Sequence, residues 1–248
     1  MTGKLCWLAN STRPDLSYTA LAMSKRNTTA QIKDLRDITR VISKAKEHSS
    51  KIKFSKIAPK ESLMIVGIGD ASFKSDDKAI GGVLLFLANE DMTRAVPIYW
   101  KSKTISRVCY SSKDAETINI SKMMDDAIFA ACQIEILYYG DYKKRMKVKL
   151  FTDSEPTLES IASSRQVERK TLRPTILDLK ERLVDKNIHS YSWLPTQSMP
   201  ADVLTKEMKI PQALEDVILK NEIVISQPLV NEVKAVGTEI RMVNIRNR

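Results

Sequence analysis

The sequence predicts an α/β protein: a mixed five-stranded sheet, three antiparallel strands then two parallel, flanked by helices and preceded by a small helical appendage. Three observations predict it. Residues 63–100 hold three short apolar or β-rich runs separated by polar turns, the pattern of an antiparallel meander. A long helical stretch then intervenes before a fourth apolar run, and a strand reached through a helix pairs parallel to an earlier one. Residues 1–56 have helical periodicity and a charge unlike that of the residues after them.

In the appendage, Ala30–Lys46 places Ile32, Leu35, Ile38, Val41 or Ile42, and Ala45 at helical spacing, with Lys33, Arg36, Arg40 and Lys44 on the other side. Such an apolar stripe needs a partner to cover it. A polar break, Ala58-Pro-Lys-Glu61, leads into the strands Leu63–Ile68, Ile80–Ala88 and Ala95–Trp100, with turns at Asp76-Asp77-Lys78 and Asn89-Glu90-Asp91. Ser111-Ser112 can cap a long helix from about Lys113 to Tyr138, with Asp114 and Glu116 in the first turn, where the helix dipole favours acids. Val148–Thr152 is the fourth strand. Helices near Glu155–Ser163 and Leu172–Val184, a strand at Ile188–Leu194 and a closing helix beginning near Ala201 follow. Residues 221–248 alternate only weakly (Ile223, Val224, Ile225, Val230, Val233). The chain thus divides into a basic helical segment, 1–57, a sheet domain, 61–220, and a tail of unassigned role, 221–248.

A chain of 248 residues that is 43% hydrophobic and 28% charged, with 7 Gly and 9 Pro, is neither fibrous nor mainly disordered. Cys6, Cys109 and Cys132 are odd in number and form no CxxC pair, so they read as reduced thiols rather than a disulfide frame or zinc site. No apolar run approaches the roughly 20 residues that a bilayer requires. The N-terminus lacks a secretory apolar region, and Asp15 with few arginines is unlike a transit peptide. The expectation is an intracellular protein, cytoplasmic or nuclear, with no membrane partner. Net charge is +10, and residues 1–60, with 13 basic against 4 acidic side chains, supply nearly all of it. A basic arm on a neutral body fits a grip on nucleic-acid phosphates. An ordinary solvated helix has the same composition, so charge alone leaves both readings open.

Metal-assisted hydrolysis of a phosphodiester needs several carboxylates at one point, since Mg²⁺ takes carboxylate oxygens together with water and substrate phosphate. Four acids stand at element ends. Asp70 closes the first strand, and Asp153 holds the equivalent place on the fourth, so parallel neighbouring strands would set them side by side. Glu116 lies in the first turn of the long helix, on a face that should meet the sheet. Asp202 follows the last strand. Each alone has an ordinary explanation as a turn, cap or first-turn residue. Four in this order are a pattern.

These residues carry a resemblance. Gly69-Asp-Ala-Ser-Phe73, Ala115-Glu-Thr117, Thr152-Asp-Ser154 and Ala201-Asp-Val-Leu-Thr-Lys206 resemble the four acidic motifs of ribonuclease H in copia-type LTR retrotransposon polyproteins. Pro97-Ile-Tyr-Trp-Lys-Ser-Lys-Thr-Ile-Ser106, running into Ser111-Ser-Lys-Asp-Ala-Glu116, is similar to the same family. Gly3-Lys-Leu-Cys-Trp-Leu-Ala-Asn-Ser-Thr-Arg-Pro-Asp-Leu-Ser17 resembles the stretch after the reverse transcriptase palm, which would make residues 1–57 the end of its thumb or connection region. The resemblance spans roughly residues 3–220, with the motifs in the family's order. It implies a ribonuclease H-like fold and an endonuclease that cuts the RNA strand of RNA–DNA hybrids, leaving a 3′-hydroxyl. It implies Asp70, Glu116, Asp153 and Asp202 as ligands of two Mg²⁺ ions, for which Mn²⁺ can substitute. Asp70 would bridge the ions, Glu116 and Asp153 would complete one site, and Asp202 would help form the other. Ser154, Lys101, Lys103 and Arg107 are candidates to touch nucleic acid.

The sequence also departs from that pattern. The Tyr-x-Asp-Asp of a polymerase is absent, and Met123-Met-Asp-Asp126 falls mid-helix, so no polymerase activity is expected. No histidine precedes Asp202 in Leu194–Ala201; His189 and His48 lie elsewhere and read as structural or solvated. Trp100 and Trp193 read as core residues. Met1 directly upstream of Gly3-Lys4 fits a fragment or a stand-alone gene derived from an element. The second case opens another class of function: a domesticated, weakly active or inactive subunit that binds nucleic acid or scaffolds a nucleoprotein complex, with a reverse transcriptase portion or larger assembly as partner. Another nuclease or integrase of the same broad fold is the third reading.

Overall fold

A computed structural model of the chain describes residues 1–47, 51–57, 59, 62–74, 77–165, 167, 169–223 and 230–245. His48, Asp76, Val224 and Ile225 lie outside the described residues, as does most of the polar break at 58–61.

The appendage forms three helices, α1 (Thr2–Ser11), α2 (Ser17–Lys25) and α3 (Ile32–Glu47). Their apolar sides meet around Leu5, Ala9, Ala20 and Ile38, with Val41 and Ile42 against them. Ile32 and Leu35, assigned to the same stripe by spacing, remain exposed. Three strands follow, β1 (Leu63–Lys74), β2 (Asp77–Asn89) and β3 (Ala95–Thr104), in the antiparallel meander the polar turns predict.

Helix α4 (Ser112–Tyr139) begins where the Ser111 hydroxyl accepts the Asp114 N–H at 3.2 Å. It ends at Gly140, whose φ of +77° closes the last turn without the clash of a Cβ. After it, β4 (Lys147–Thr152) pairs parallel to β1, α5 (Glu155–Ala162) and α6 (Arg173–Val184) cross, and β5 (Ser190–Trp193) pairs parallel to β4. The order β3-β2-β1-β4-β5, antiparallel then parallel, is the ribonuclease H-like arrangement. Because β1 is central and covered on both faces, Leu63–Ile68 is an unbroken apolar run rather than an alternating one. One core layer sets Ile65, Leu85, Leu150 and Tyr191 against α4 and α6. The opposite layer sets Val66, Phe86 and Phe151 against Leu204 and Val217.

Two expectations change. The sheet has seven strands, because β6 (Val230–Val236) and β7 (Glu239–Ile245) form a hairpin that continues it antiparallel from β5. Gly237, at φ +66° in the two-residue turn between these runs of seven residues, is the sequence signal for it. The closing helix, α7 (Gln212–Lys220), starts well after Ala201. Pro211 cannot sit inside a helix running on from Ala201, so the stretch forms a 3₁₀ turn, Pro200–Leu204, and α7 begins just after Pro211.

The appendage is anchored to this sheet. The Trp100 indole N–H donates to the Ala9 carbonyl at 2.7 Å, and the 3₁₀ turn Pro14–Leu16 packs against Pro200–Leu204. Among the described residues, no helix is long and apolar enough to cross a membrane.

Candidate metal centre

The parallel register of β1 and β4 ends at Ile68 and Phe151, so Asp153, just past the end of β4, comes beside Asp70. Asp70 lies within β1 rather than closing it, because pairing with β2 carries the strand on to Lys74. Glu116 points at the same place from the first turns of α4. One oxygen from each of Asp70, Glu116 and Asp153 lies within 4.8 Å of the other two. Asp202, in the 3₁₀ turn, stands across Lys206 from them: the Lys206 ammonium is 2.9 Å from Asp202 Oδ1 and 3.7 Å from Asp70 Oδ2. Sequence reasoning named all four acids; three share a point and the fourth joins them through a cation.

Each carboxylate is oriented by its surroundings. The Thr205 hydroxyl donates to Asp70 Oδ2, while Asn119 Nδ2 donates to the Asp70 carbonyl at 2.9 Å and to that of Gly82 at 3.0 Å. Glu116 Oε1 accepts the Ala71 N–H at 2.9 Å, and its Oε2 is buried with no hydrogen-bond partner among the described residues. Asp153 Oδ2 accepts from the Thr196 hydroxyl at 3.0 Å, and the Trp193 indole N–H donates to the Asp153 carbonyl at 3.2 Å. Gly82 lets the Asp202 segment lie this close, since a Cβ there would stand 2.7 Å from Leu204 Cβ. The Ser102 hydroxyl holds the same segment by donating to the Leu204 carbonyl at 2.6 Å.

Burial of like charges sets the electrostatics. Asp70 is only 2% exposed. Burial pushes its carboxyl up to about 6, aided by Asp202 and Asp153 and opposed by the Thr205 hydrogen bond and Lys206. Burial, then Asp70 and Asp153, hold Glu116 well above the usual carboxylate range. Burial lowers the Lys206 ammonium, but the Asp202 hydrogen bond and the charges of Asp70, Asp202 and Asp153 outweigh it and leave its pKa raised. Buried carboxylates with a bare oxygen among them are a donor set that fits a hard divalent cation.

The other named residues sit outside the cluster. The Ser154 hydroxyl pairs with that of Thr157 at 2.8 Å. Lys101, Lys103 and Arg107 border a cavity of about 130 Å³ between β3 and α4, with Asn119 and Lys122. Arg107 also donates to the Thr175 hydroxyl at 3.0 Å and the Thr171 carbonyl at 2.8 Å, tying the loop before α4 to α6. Of the residues that sequence reasoning left without a role, Thr205 and Lys206 stand in the quoted Ala201–Lys206 motif, and Asn119 lies three residues after Glu116, on the same helix face. Thr196 has no local signal.

No protein-family model matches the chain, and no curated protein matches it. Several solved structures are similar. The N-terminal RNase H domain of Rv2228c from Mycobacterium tuberculosis is 16% identical, with a TM-score of 0.44 over 58% of this chain and 91% of that one. LC11-RNase H1 in complex with an RNA/DNA hybrid is 16% identical, with a TM-score of 0.41 over 60% of this chain and 99% of its own. The prototype foamy virus protease-reverse transcriptase is 14% identical, with a TM-score of 0.37, and the match covers 64% of this chain but 22% of that protein.

Proposed function

We propose that this chain is a ribonuclease H-type endonuclease, of copia-type retrotransposon origin, that hydrolyses the RNA strand of RNA–DNA hybrids with two divalent cations, Mg²⁺ or Mn²⁺. The observation that carries the reading is the meeting of Asp70, Glu116 and Asp153 from three separate elements, with ligand oxygens within 4.8 Å and no hydrogen-bond partner for Glu116 Oε2 among the described residues. Crowded carboxylates repel and lose hydration, so a centre that never binds a cation costs stability.

Asp70 would contribute to both cation positions, Glu116 and Asp153 to one, and Asp202 to the other. Bound there, the two ions would supply activation of water and charge stabilisation at the leaving oxygen. The chain's own groups do the rest. Thr205, Thr196 and the Ala71 N–H fix the carboxylate planes. The Lys206 ammonium offsets part of the repulsion between Asp70 and Asp202. Hydrolysis adds water across the P–O3′ bond of the RNA, leaving a 3′-hydroxyl and a 5′-phosphate. Lys101, Lys103, Arg107 and Ser154 would meet backbone phosphates, since such an enzyme reads hybrid shape and 2′-hydroxyls more than base sequence.

The test is cleavage of a labelled RNA–DNA hybrid with and without Mg²⁺, beside Asp70→Asn and Asp153→Asn. Metal-dependent cutting of the RNA strand, lost in both variants, is the expected result. Tight hybrid binding with no cutting in Mg²⁺ or Mn²⁺ would reject it and favour the inactive, nucleic-acid-binding subunit of a larger nucleoprotein complex.

A further inference from the structure

Residues 51–57 form a strap without helix or strand that lies against the end of α7 and near β3. The strap is fixed by its backbone: the Lys53 N–H donates to the Ile218 carbonyl at 3.0 Å, and Asn221 Nδ2 donates to the Lys53 carbonyl at 2.6 Å. The Ser55 hydroxyl donates to Asn221 Oδ1 at 2.6 Å. Ile52 and Ile57 turn toward the two core layers. That anchoring leaves Phe54 facing outward, 68% exposed, with Lys51, Lys53 and Lys56 exposed around it. A phenyl ring displayed on a pinned segment loses apolar burial with no return inside this fold.

Phe54 walls a groove of about 500 Å³ along the free edge of β3. Pro97, Ile98, Tyr99 and Trp100 of β3 line it, with Asn10 and Ser11 from the end of α1 and Lys101. No carboxylate lines it among the described residues. Lys101 also borders the cavity with Lys103, Arg107, Lys122 and one carboxylate, Asp126, so four basic side chains face a single acid there. Aromatic surface framed by lysines, with hydrogen-bonding groups and no acid in its described lining, suits a single nucleic-acid strand. Bases stack on the ring, and phosphates meet the ammonium groups. Base pairs in a duplex bury those faces and cannot use the ring.

We propose that this groove binds an unpaired nucleic-acid stretch, with Phe54 as the stacking platform and Lys101 and the strap lysines on the phosphates. This rests on the nucleic-acid part of the function proposed above and not on cleavage.

Binding of the full chain to a fluorescent single strand of about twelve nucleotides, in chelator, tests it. Phe54→Ala should weaken binding about tenfold or more, the loss of one stacked base, and Phe54→Trp should retain it. An abasic strand of the same length should bind the wild type and Phe54→Ala equally. Unchanged affinity in Phe54→Ala, as expected if the β3 edge instead takes a peptide, overturns the proposal. So does an equal loss on intact and abasic strands. Hybrid cleavage, read separately on the same proteins, keeps the two readings apart. Phe54-dependent binding without cutting sinks only the nuclease, and cutting with Phe54-independent binding sinks only the groove.

Discussion

Asp70 shows how a single residue couples fold, charge and chemistry. Its carboxyl is buried beside other acids, and its pKa in the folded chain rises to about 6 from an ordinary value of 3.8. Below the ordinary value it is protonated folded or unfolded, so it adds nothing. Between the two values the folded chain holds a proton that the unfolded chain has released. Above about 6 it is ionised in both states, and the folded state alone carries the burial penalty, on the order of 2–3 kcal/mol. Asp70→Asn in chelator should therefore be the more stable protein near pH 7.5, by about 2 kcal/mol, with the gap closing as pH falls through 6. Urea unfolding of both proteins across that range measures it; a gap that widens on acidification contradicts the burial argument. Thr205 provides a second test at this scale. Removing the hydroxyl that orients Asp70 should lower metal-dependent cutting about tenfold to a hundredfold in Thr205→Val, while Thr205→Ser restores it. Equal rates in the two variants would mean that the hydroxyl orients nothing that matters.

At the scale of elements, the closeness of the Asp202 turn to β2 is the exacting feature. Gly82→Ala would set a Cβ 2.7 Å from Leu204 Cβ and 3.0 Å from Thr205 Cγ2, so Pro200–Leu204 must shift. Overpacking of this kind costs about 1–3 kcal/mol, and a displacement of about 1 Å at a reacting centre can cost a hundredfold in rate. The expected signature is a cutting rate that falls far more than the melting temperature does; proportionate losses would point to plain destabilisation. The elements differ in how legible they are from sequence. The meander, the long helix and the parallel strand were readable because period and turn chemistry are local. So were the four acids, because each stands in a short local motif, although Asp70 lies inside β1 and not at its end. The β6–β7 hairpin was missed although Gly237 marks its turn, because alternation such as Glu239-Ile-Arg-Met-Val-Asn-Ile245 is weak where few strands cover it. The late start of α7 was missed because proline spacing, not apolar period, decides it. Glu135 shows the deepest gap: fully buried, it accepts the Lys143 N–H at 2.9 Å and the Met146 N–H at 2.7 Å, and backbone partners leave no trace in a sequence.

The whole molecule depends on how the helical appendage is held. Leu5, Ala9, Ala20 and Ile38 are too few side chains to stabilise three helices alone, since units below about 40–60 residues are marginal even with a full core. The appendage relies instead on polar ties. Arg13, 6% exposed, donates two bonds to Asp15, at 2.8 and 2.7 Å, and a third to the Ala45 carbonyl at the end of α3, at 2.9 Å. It adjoins Pro14–Leu16, the turn packed on the Asp202 segment, so one guanidinium joins α3 to the side of the carboxylate cluster. Arg13→Ala leaves Asp15 as a buried charge without its partner, a change that typically costs about 3–5 kcal/mol. Arg13→Met with Asp15→Asn should recover part of that, because the stranded charge goes with its counterion, although the bond to Ala45 is still lost. Hydrogen exchange locates the effect. In Arg13→Ala the amides of α1–α3 should open well before those of β1 and α4, whereas the wild type should protect both together. If the sheet amides of the variant lose protection as much as the helices do, Arg13 supports the whole molecule and not this junction. If neither set changes, the appendage is held by its apolar contacts and by Trp100 on Ala9 alone.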